Sequence, residues 1–177
     1  GEYLSLKPEK PHLVNGLIYP VLDPRLPFLG VHFTKRISGS VEAGPNAVLA
    51  RKREGYSKTS FDWGDTVDAL KFPGFWRMSR KYWKVGISEQ YRSVIRSAFV
   101  SSLQTLIPEL QDQDLHQPGA GVRAQAVDAA GNLVQDFSIA QTENAIHVVN
   151  APSPGATSSL AISRYIVDLA KRSFDLN

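Results

Sequence analysis

Ala145-Ile146-His147-Val148-Val149, running on into Asn150-Ala151-Pro152-Ser153-Pro154-Gly155-Ala156-Thr157-Ser158-Ser159-Leu160, decides how the rest of this chain is read. The first five residues have the apolar character of a buried strand, and the residues after the loop have the spacing of a helix, so a short loop turns one directly into the other. Ser153 suits the helix cap and Pro154 the first helical position. The small residues that follow leave the free N–H groups of the helix open to a bound acceptor. An ordinary strand-to-helix turn has the same pattern, and the loop alone does not choose between the two.

Outward from that loop the pattern alternates between extended and helical stretches. At the front, His12 to Val21 is an extended apolar run ended by prolines at 20, 24 and 27, and Val31 to Lys35 with Val41 to Ala43 predicts a hairpin around Ser38-Gly39-Ser40. In the first strand of that hairpin Val31 and Phe33 share one face and His32 and Thr34 the other. Pro73-Gly74 starts a short helix over about Phe75 to Val85. A second helix follows, capped by Ser88 and striped by Tyr91, Ile95, Ala98, Phe99, Leu103 and Leu106, with Pro108 beyond its end. Ala120 to Val127 and Leu133 to Ile139 flank Asp128-Ala129-Ala130-Gly131-Asn132, whose Gly-Asn predicts another hairpin. The last helix carries the stripe Ile162, Tyr165, Ile166, Leu169 and Ala170.

Composition narrows the class. The 177 residues, 42% of them hydrophobic, suffice for one domain, or one domain with a piece of a second. There is no cysteine, hence no disulfide or thiolate metal site, and the histidines at 12, 32, 116 and 147 lack metal-ligand spacing, so no metal is expected. No apolar run reaches the ~20 residues that span a bilayer, and the chain is expected to be soluble. A formal charge of +3 is too small to imply nucleic acid. The charge is uneven, however: Arg77, Arg80, Lys81 and Lys84 interleave with Phe75, Trp76, Tyr82 and Trp83. A helix that buries its aromatics and solvates its charges explains this cluster, and an anionic membrane surface is the functional option.

Three further blocks accompany the loop: Pro27-Phe28-Leu29-Gly30-Val31-His32-Phe33-Thr34, Gly39-Ser40-Val41-Glu42-Ala43-Gly44-Pro45-Asn46-Ala47-Val48-Leu49-Ala50, and Gly121-Val122-Arg123-Ala124-Gln125. Together, over essentially the whole chain, they resemble the L-2-hydroxyglutarate oxidase/dehydrogenase family of FAD-dependent enzymes in the wider D-amino-acid-oxidase-like group. Members of that group open with a strand, a Gly-x-Gly-x-x-Gly turn and a helix that holds the FAD pyrophosphate. No such motif occurs here. The resemblance therefore implies the C-terminal portion of a longer enzyme, with the N-terminal FAD-binding portion as its partner and Gly1 as a boundary.

The fold the resemblance implies is α+β: a substrate-binding domain of mixed or antiparallel sheet with helices on one face, over residues 1–118, and closing strands with a C-terminal strand-loop-helix over residues 119–177 that returns to the FAD domain. The implied reaction oxidises L-2-hydroxyglutarate, or a similar 2-hydroxy acid, to the 2-oxo acid by hydride transfer to FAD. The 177 residues alone are expected to be inactive and free of flavin, since the pyrophosphate and adenosine sites lie elsewhere. A cytoplasmic location follows, with peripheral attachment to an inner membrane and a quinone contact as options and no nucleic-acid partner.

Such chemistry needs a cation for the carboxylate, a base for the hydroxyl proton and a hydride acceptor. Arg123 stands where related oxidases carry an arginine that clamps the substrate carboxylate, and a guanidinium matches that group bidentately. Without the resemblance, an arginine on a strand reads as a surface ion pair. His32 is the best proton acceptor available, because imidazole titrates nearest neutral pH. A satisfied histidine on a sheet face is the alternative, and family members also carry a histidine near the flavin in the portion outside this chain. Asn46, after Gly44 at a strand break, could hydrogen-bond the substrate, with Tyr19 and Lys35 as weaker candidates of unknown side-chain direction. His147 is expected to pack, and His12 and His116 to lie at the surface. Gly121 and the loop residues Pro152, Ser153, Pro154, Gly155, Ala156 and Thr157 are assigned to the isoalloxazine end of FAD, where a helix N-terminus would stabilise negative charge near the pyrimidine carbonyl. The competing function is a stand-alone anion- or nucleic-acid-binding module built on residues 75–84.

Overall fold

The computed structural model describes residues 1–21, 29–151 and 155–175. Five strands form one sheet in the order β2-β3-β4-β1-β5, with β1 Glu2–Leu6, β2 Leu17–Ile18, β3 His32–Lys35, β4 Val41–Asn46 and β5 Leu115–Ala120. Every neighbouring pair is antiparallel. The helices α1 Trp63–Lys71, α2 Pro73–Val94 and α3 Arg96–Gln104 lie between β4 and β5 in sequence. A separate antiparallel hairpin, β6 Ser138–Gln141 with β7 Ile146–Asn150, precedes the C-terminal helix α4 Ser159–Phe174. The fold is α+β, with antiparallel sheets and four α-helices among the described residues.

Strand alternation decides which face of the large sheet is covered. Leu4 and Leu6 on β1, Phe33 on β3, Val41 and Ala43 on β4 and Leu115 on β5 are buried together with Phe99, Val100 and Leu103 of α3 and with Ile107 and Leu110 beyond it. One face of the sheet thus takes its apolar side chains from alternate positions and packs them against α3. The intervening residues Tyr3, His32 and Glu42 belong to the other face and stay partly exposed.

The expected β3–β4 hairpin is present, with His32 opposite Gly44 and Lys35 opposite Val41. Elsewhere the boundaries move. His12–Val21 is not one extended run: Pro11 opens a 3-10 turn over Pro11–Leu13, and β2 is only two residues long. The helix break expected near Ser88 is absent. α2 instead kinks at Tyr82 (φ −112°, ψ 17°) and runs to Val94. The break falls at Ile95, in extended conformation, where the β-branched pair Val94-Ile95 resists helix and lets α3 turn Phe99 and Leu103 onto the sheet. At the start of α1, Asp62 accepts a hydrogen bond from the Asp65 N–H at 2.9 Å. Phe72 is extended ahead of Pro73, which takes the first position of α2.

The turn expected at Asp128–Asn132 forms, but its flanks meet only at the bridge Val127↔Leu133, and β6 pairs with β7 instead. The turn is held against α2. A Cβ at Gly74 would lie 2.2 Å from the Asp128 carbonyl oxygen, and one at Gly131 would lie 2.6 Å from the Met78 nitrogen. Arg77 donates to the Ala129 carbonyl across the same contact. In the opening stretch, Asn150 is buried and donates to the Asp136 carbonyl at 2.8 Å. His147 is exposed rather than packed. α4 has no buried residue and begins at Ser159 after a turn over 155–158; Ser153 and Pro154, read as its cap and first position, lie outside the described residues.

Candidate functional site

The uncovered face of the five-stranded sheet gathers the polar chemistry of the chain. On β3, His32 turns away from the buried Phe33, and its ring stacks on Tyr19 with centroids 4.4 Å apart and planes at 20°. His32 Nδ1 lies 3.1 Å from the Gly30 carbonyl oxygen. A carbonyl can only accept, so this bond takes the proton of Nδ1 and selects the tautomer whose lone pair falls on Nε2.

Across the ladder, His32 pairs with Gly44, and Tyr3 leans over that glycine from β1. Gly44 has φ 142°. A Cβ there would lie 2.8 Å from the Glu2 carbonyl oxygen and 3.2 Å from Tyr3 Cδ1, so the position accepts no side chain without displacing β1. On its other edge the Tyr3 ring approaches Gly121, whose Cβ would lie 3.6 Å from Cε2. Gly121 continues the ladder past β5: its N–H donates to the Gly1 carbonyl at 2.8 Å, and its own carbonyl accepts from the Gly1 nitrogen at 2.5 Å.

Arg123 follows two residues later, past the end of β5, and lies near enough to Tyr3 for its charge to act on the phenol. It is exposed and, among the described residues, makes no hydrogen bond or ion pair. Arg36 is different: it pairs with Glu42 across the hairpin, which neutralises it. Lys35 shares the face of Phe33 by alternation and so points away from His32. Of the two guanidinium groups that act on Tyr3, Arg123 is therefore the one without a carboxylate partner among the described residues. The Tyr3 phenol responds to this group: burial first, then Glu42, pushes its pKa above the ordinary tyrosine value, Arg36 pulls it down, Tyr19 raises it and Arg123 lowers it. The phenol stays protonated at neutral pH and can donate.

The structure thus sets Tyr3 on the sheet face of His32, with Gly121 against its ring and Arg123 within electrostatic reach of its phenol. Asn46 lies apart from them: it is fully buried at the end of β4, and neither its amide nitrogen nor its amide oxygen has a hydrogen-bond partner. Beside it, the buried carboxylate of Glu89 on α2 accepts the Ala47 N–H at 2.7 Å and pairs with Arg92. These two also line a pocket of about 470 Å³ together with Lys84, Ser88 and Thr105, at the edge of the sheet on the helix side. Pro152, Ser153 and Pro154 lie outside the described residues. Gly155, Ala156 and Thr157 form the turn into α4, and Ser158 caps that helix with no side-chain hydrogen bond. No hydrogen bond or ion pair among the described residues links Gly155 or Ala156 to His32 or Arg123.

Of the remaining histidines, His12 is exposed and His116 is half-buried with Nε2 3.0 Å from the Leu6 carbonyl oxygen. Among the described residues no cluster of His, Asp and Glu is placed to hold a metal ion, and no helix is long and apolar enough to cross a membrane. The aromatics of residues 75–84 are not all buried: Trp76 and Trp83 are more than half exposed. Arg77 and Lys81 of that segment reach the 128–132 turn, where Lys81 Nζ lies 3.5 Å from Asn132 Oδ1.

Tyr3 was not a candidate from sequence. The signal for it was the alternation in Glu2-Tyr3-Leu4-Ser5-Leu6, but the neighbours that make it part of the face come from β4 and from residues past β5, which no local pattern joins.

An antiparallel sheet packed against helices on one side, with a histidine and two tyrosines on the other and an arginine beside them, defines an α+β domain with one polar face. No family model matches the chain. It is similar over nearly its whole length to proteins named L-2-hydroxyglutarate dehydrogenase: 53% identical over 174 residues to that of Indibacter alkaliphilus, covering 98% of this chain and 44% of the relative. The proteins named L-2-hydroxyglutarate dehydrogenase, mitochondrial, from Caenorhabditis elegans and Homo sapiens are 52% and 49% identical over 181 residues, covering 99% of this chain and 42% and 39% of theirs. The chain spans less than half the length of these relatives. None of their names supports a nucleic-acid-binding module.

Proposed function

We propose that these 177 residues form the substrate side of an enzyme that oxidises L-2-hydroxyglutarate, or a similar 2-hydroxy acid, to the 2-oxo acid with FAD as hydride acceptor. The observation that carries this reading is the unpaired guanidinium of Arg123 within reach of Tyr3, which shares its sheet face with a histidine whose Nδ1 lies against a backbone carbonyl. The names of the relatives supply the substrate.

In this reading Arg123 receives the C1 carboxylate and His32 Nε2 accepts the proton of the C2 hydroxyl while the C2–H bond breaks. The hydrogen leaves C2 as hydride, and the C2–O bond becomes the carbonyl. Bound against this face, the flavin supplies the acceptor for that hydride. The α4 N-terminus, where the Ser158 side chain makes no capping hydrogen bond, fits an acceptor oxygen of such a group. The pyrophosphate-binding motif lies in a portion outside these residues, and we extend that proposal to the division at 118/119, with β5 shared between the two parts. Asn46 remains a proposed substrate contact that requires the end of β4 to open.

Mixing the protein as its native gene encodes it with L-2-hydroxyglutarate under anaerobic conditions tests the reading. Bleaching of a bound flavin supports it, and an unchanged spectrum, or a protein that carries no flavin, refutes it. A second contact is favoured by the exposure of Trp76 and Trp83 beside Arg80 and Lys84. We propose that this aromatic-basic face rests on an anionic membrane surface, which co-sedimentation with vesicles containing anionic lipid, compared with zwitterionic ones, will read.

A further inference from the structure

β1 is the strand at which the pairings on both sides slip. Against β4 the register shifts between Glu2 and Leu4, which pair with Asn46 and Ala43. Against β5 it shifts between Tyr3 and Ser5, which pair with Gly119 and His116. Tyr3 lies in both irregular steps. In each step the extra residue lies on the partner strand, β4 or β5, so both irregularities fall beside Tyr3, and such irregularities concentrate beside functional sites. The ring spans from Gly44 on one side to Gly1 and Gly121 on the other, positions where its neighbours have no side chain. Its hydroxyl has no hydrogen-bond partner among the described residues. The seat fixes the ring and leaves the polar end unused.

We propose that Tyr3 is a substrate-contacting residue of this site, its hydroxyl donating to the same carboxylate that Arg123 clamps. The proposal rests on the reading of Arg123 given above. The chemistry is complementary: a carboxylate offers about four lone-pair sites, a guanidinium fork fills two, and a neutral phenol supplies a third donor without adding charge. The raised pKa of the phenol keeps its proton available throughout the neutral range. Tyr19, stacked on His32, also raises the Tyr3 pKa, so the phenol of Tyr3 and the base stand close enough to serve the adjacent C1 carboxylate and C2 hydroxyl of one 2-hydroxy acid. The ligand class is a small 2-hydroxy carboxylate bound by one guanidinium and one phenol, with no second free cation from this part of the chain near it.

The test is a double-mutant cycle in the full-length native protein, with L-2-hydroxyglutarate as substrate and Tyr3→Phe, Arg123→Lys and the double variant compared. Tyr3→Phe keeps the ring in its glycine seat and removes only the oxygen. Loss of a hydrogen bond to a charged group should lower kcat/KM roughly ten- to a hundredfold, mainly through KM, with unchanged flavin content and melting temperature. The double variant should lose less than the product of the two single effects, because both residues hold one carboxylate. Tyr3→Phe at wild-type kcat/KM while Arg123→Lys is impaired overturns the role of Tyr3 alone. Strictly multiplicative effects overturn the shared carboxylate. Wild-type kinetics in Arg123→Lys removes the reading beneath it, and the proposal falls with it.

Discussion

His32 and Tyr19 stack face to face, 4.4 Å between ring centroids, while the other side of the histidine's commitment is a 3.1 Å hydrogen bond to its own near neighbour Gly30. One contact sets the ring plane and the other sets the tautomer. A stacked pair is worth about 0.5–1.5 kcal/mol beyond its buried area. Tyr19→Leu in the full-length native protein should therefore slow the reductive step by roughly two- to tenfold, whereas Tyr19→Phe, which keeps the stack, should restore it. Rapid-mixing spectroscopy without oxygen separates the two. Equal losses in both variants would mean that the hydroxyl, not the stack, is what matters.

Replacing the base itself should cost far more. His32→Gln is expected to preserve flavin binding while slowing flavin reduction by roughly two to four orders of magnitude, the usual contribution of a positioned general base. A rate within a few-fold of wild type would move the base to another part of the protein.

Arg123→Lys keeps the charge and loses the fork. About 1.5–3 kcal/mol of charged hydrogen bonding is at stake, so kcat/KM for the hydroxy acid should fall roughly ten- to a hundredfold. Because Arg123 is exposed and unpaired here, the melting temperature should not change. A destabilised protein with an unaltered reaction would make the residue structural.

A prediction about folding concerns Asp114. Its carboxylate accepts the Gln111 N–H at 3.0 Å and meets Lys10 at 3.2 Å. The Gln111 hydrogen bond first, and Lys10 after it, hold its pKa below the ordinary aspartate value. A depressed pKa in the folded state means stabilisation that is present at neutral pH and is lost as pH falls below the unfolded value of ~3.9 and through the folded one. Urea unfolding of wild type and Asp114→Asn should show a smaller loss of stability in that acidic window for the variant. Identical pH dependences would remove Asp114 from the set of groups that matter.

The open face was partly legible from alternation. Val31-His32-Phe33-Thr34 places Phe33 in the core and His32 opposite it, and the structure does the same. The β3–β4 hairpin was legible for the same reason, because its turn and its pattern lie within a few residues of each other. β1 was not, since its partners are forty and more than a hundred residues away and its register slips on both sides. The helix break was misplaced because a break at Gly86–Ser88 and one at Val94-Ile95 carry similar local signals, and only packing of Phe99 and Leu103 on the sheet selects the second. Asn46 was read as accessible from the strand break around Gly44. Burial by the helical layer, which includes Glu89, is a tertiary fact that the local sequence does not contain.

The seat formed by Gly74 and Gly131 gives the segment carrying Arg123 a second anchor. Upstream, that segment is stitched to the first strand at Gly1 and Gly121; downstream, it is pegged to the helix that begins at Pro73. The arginine therefore hangs on a span fixed at two supports belonging to different layers of the molecule. Enlarging either glycine would lift the downstream peg and slacken the span, so a substitution on the far side of the sheet would register as a misplaced guanidinium.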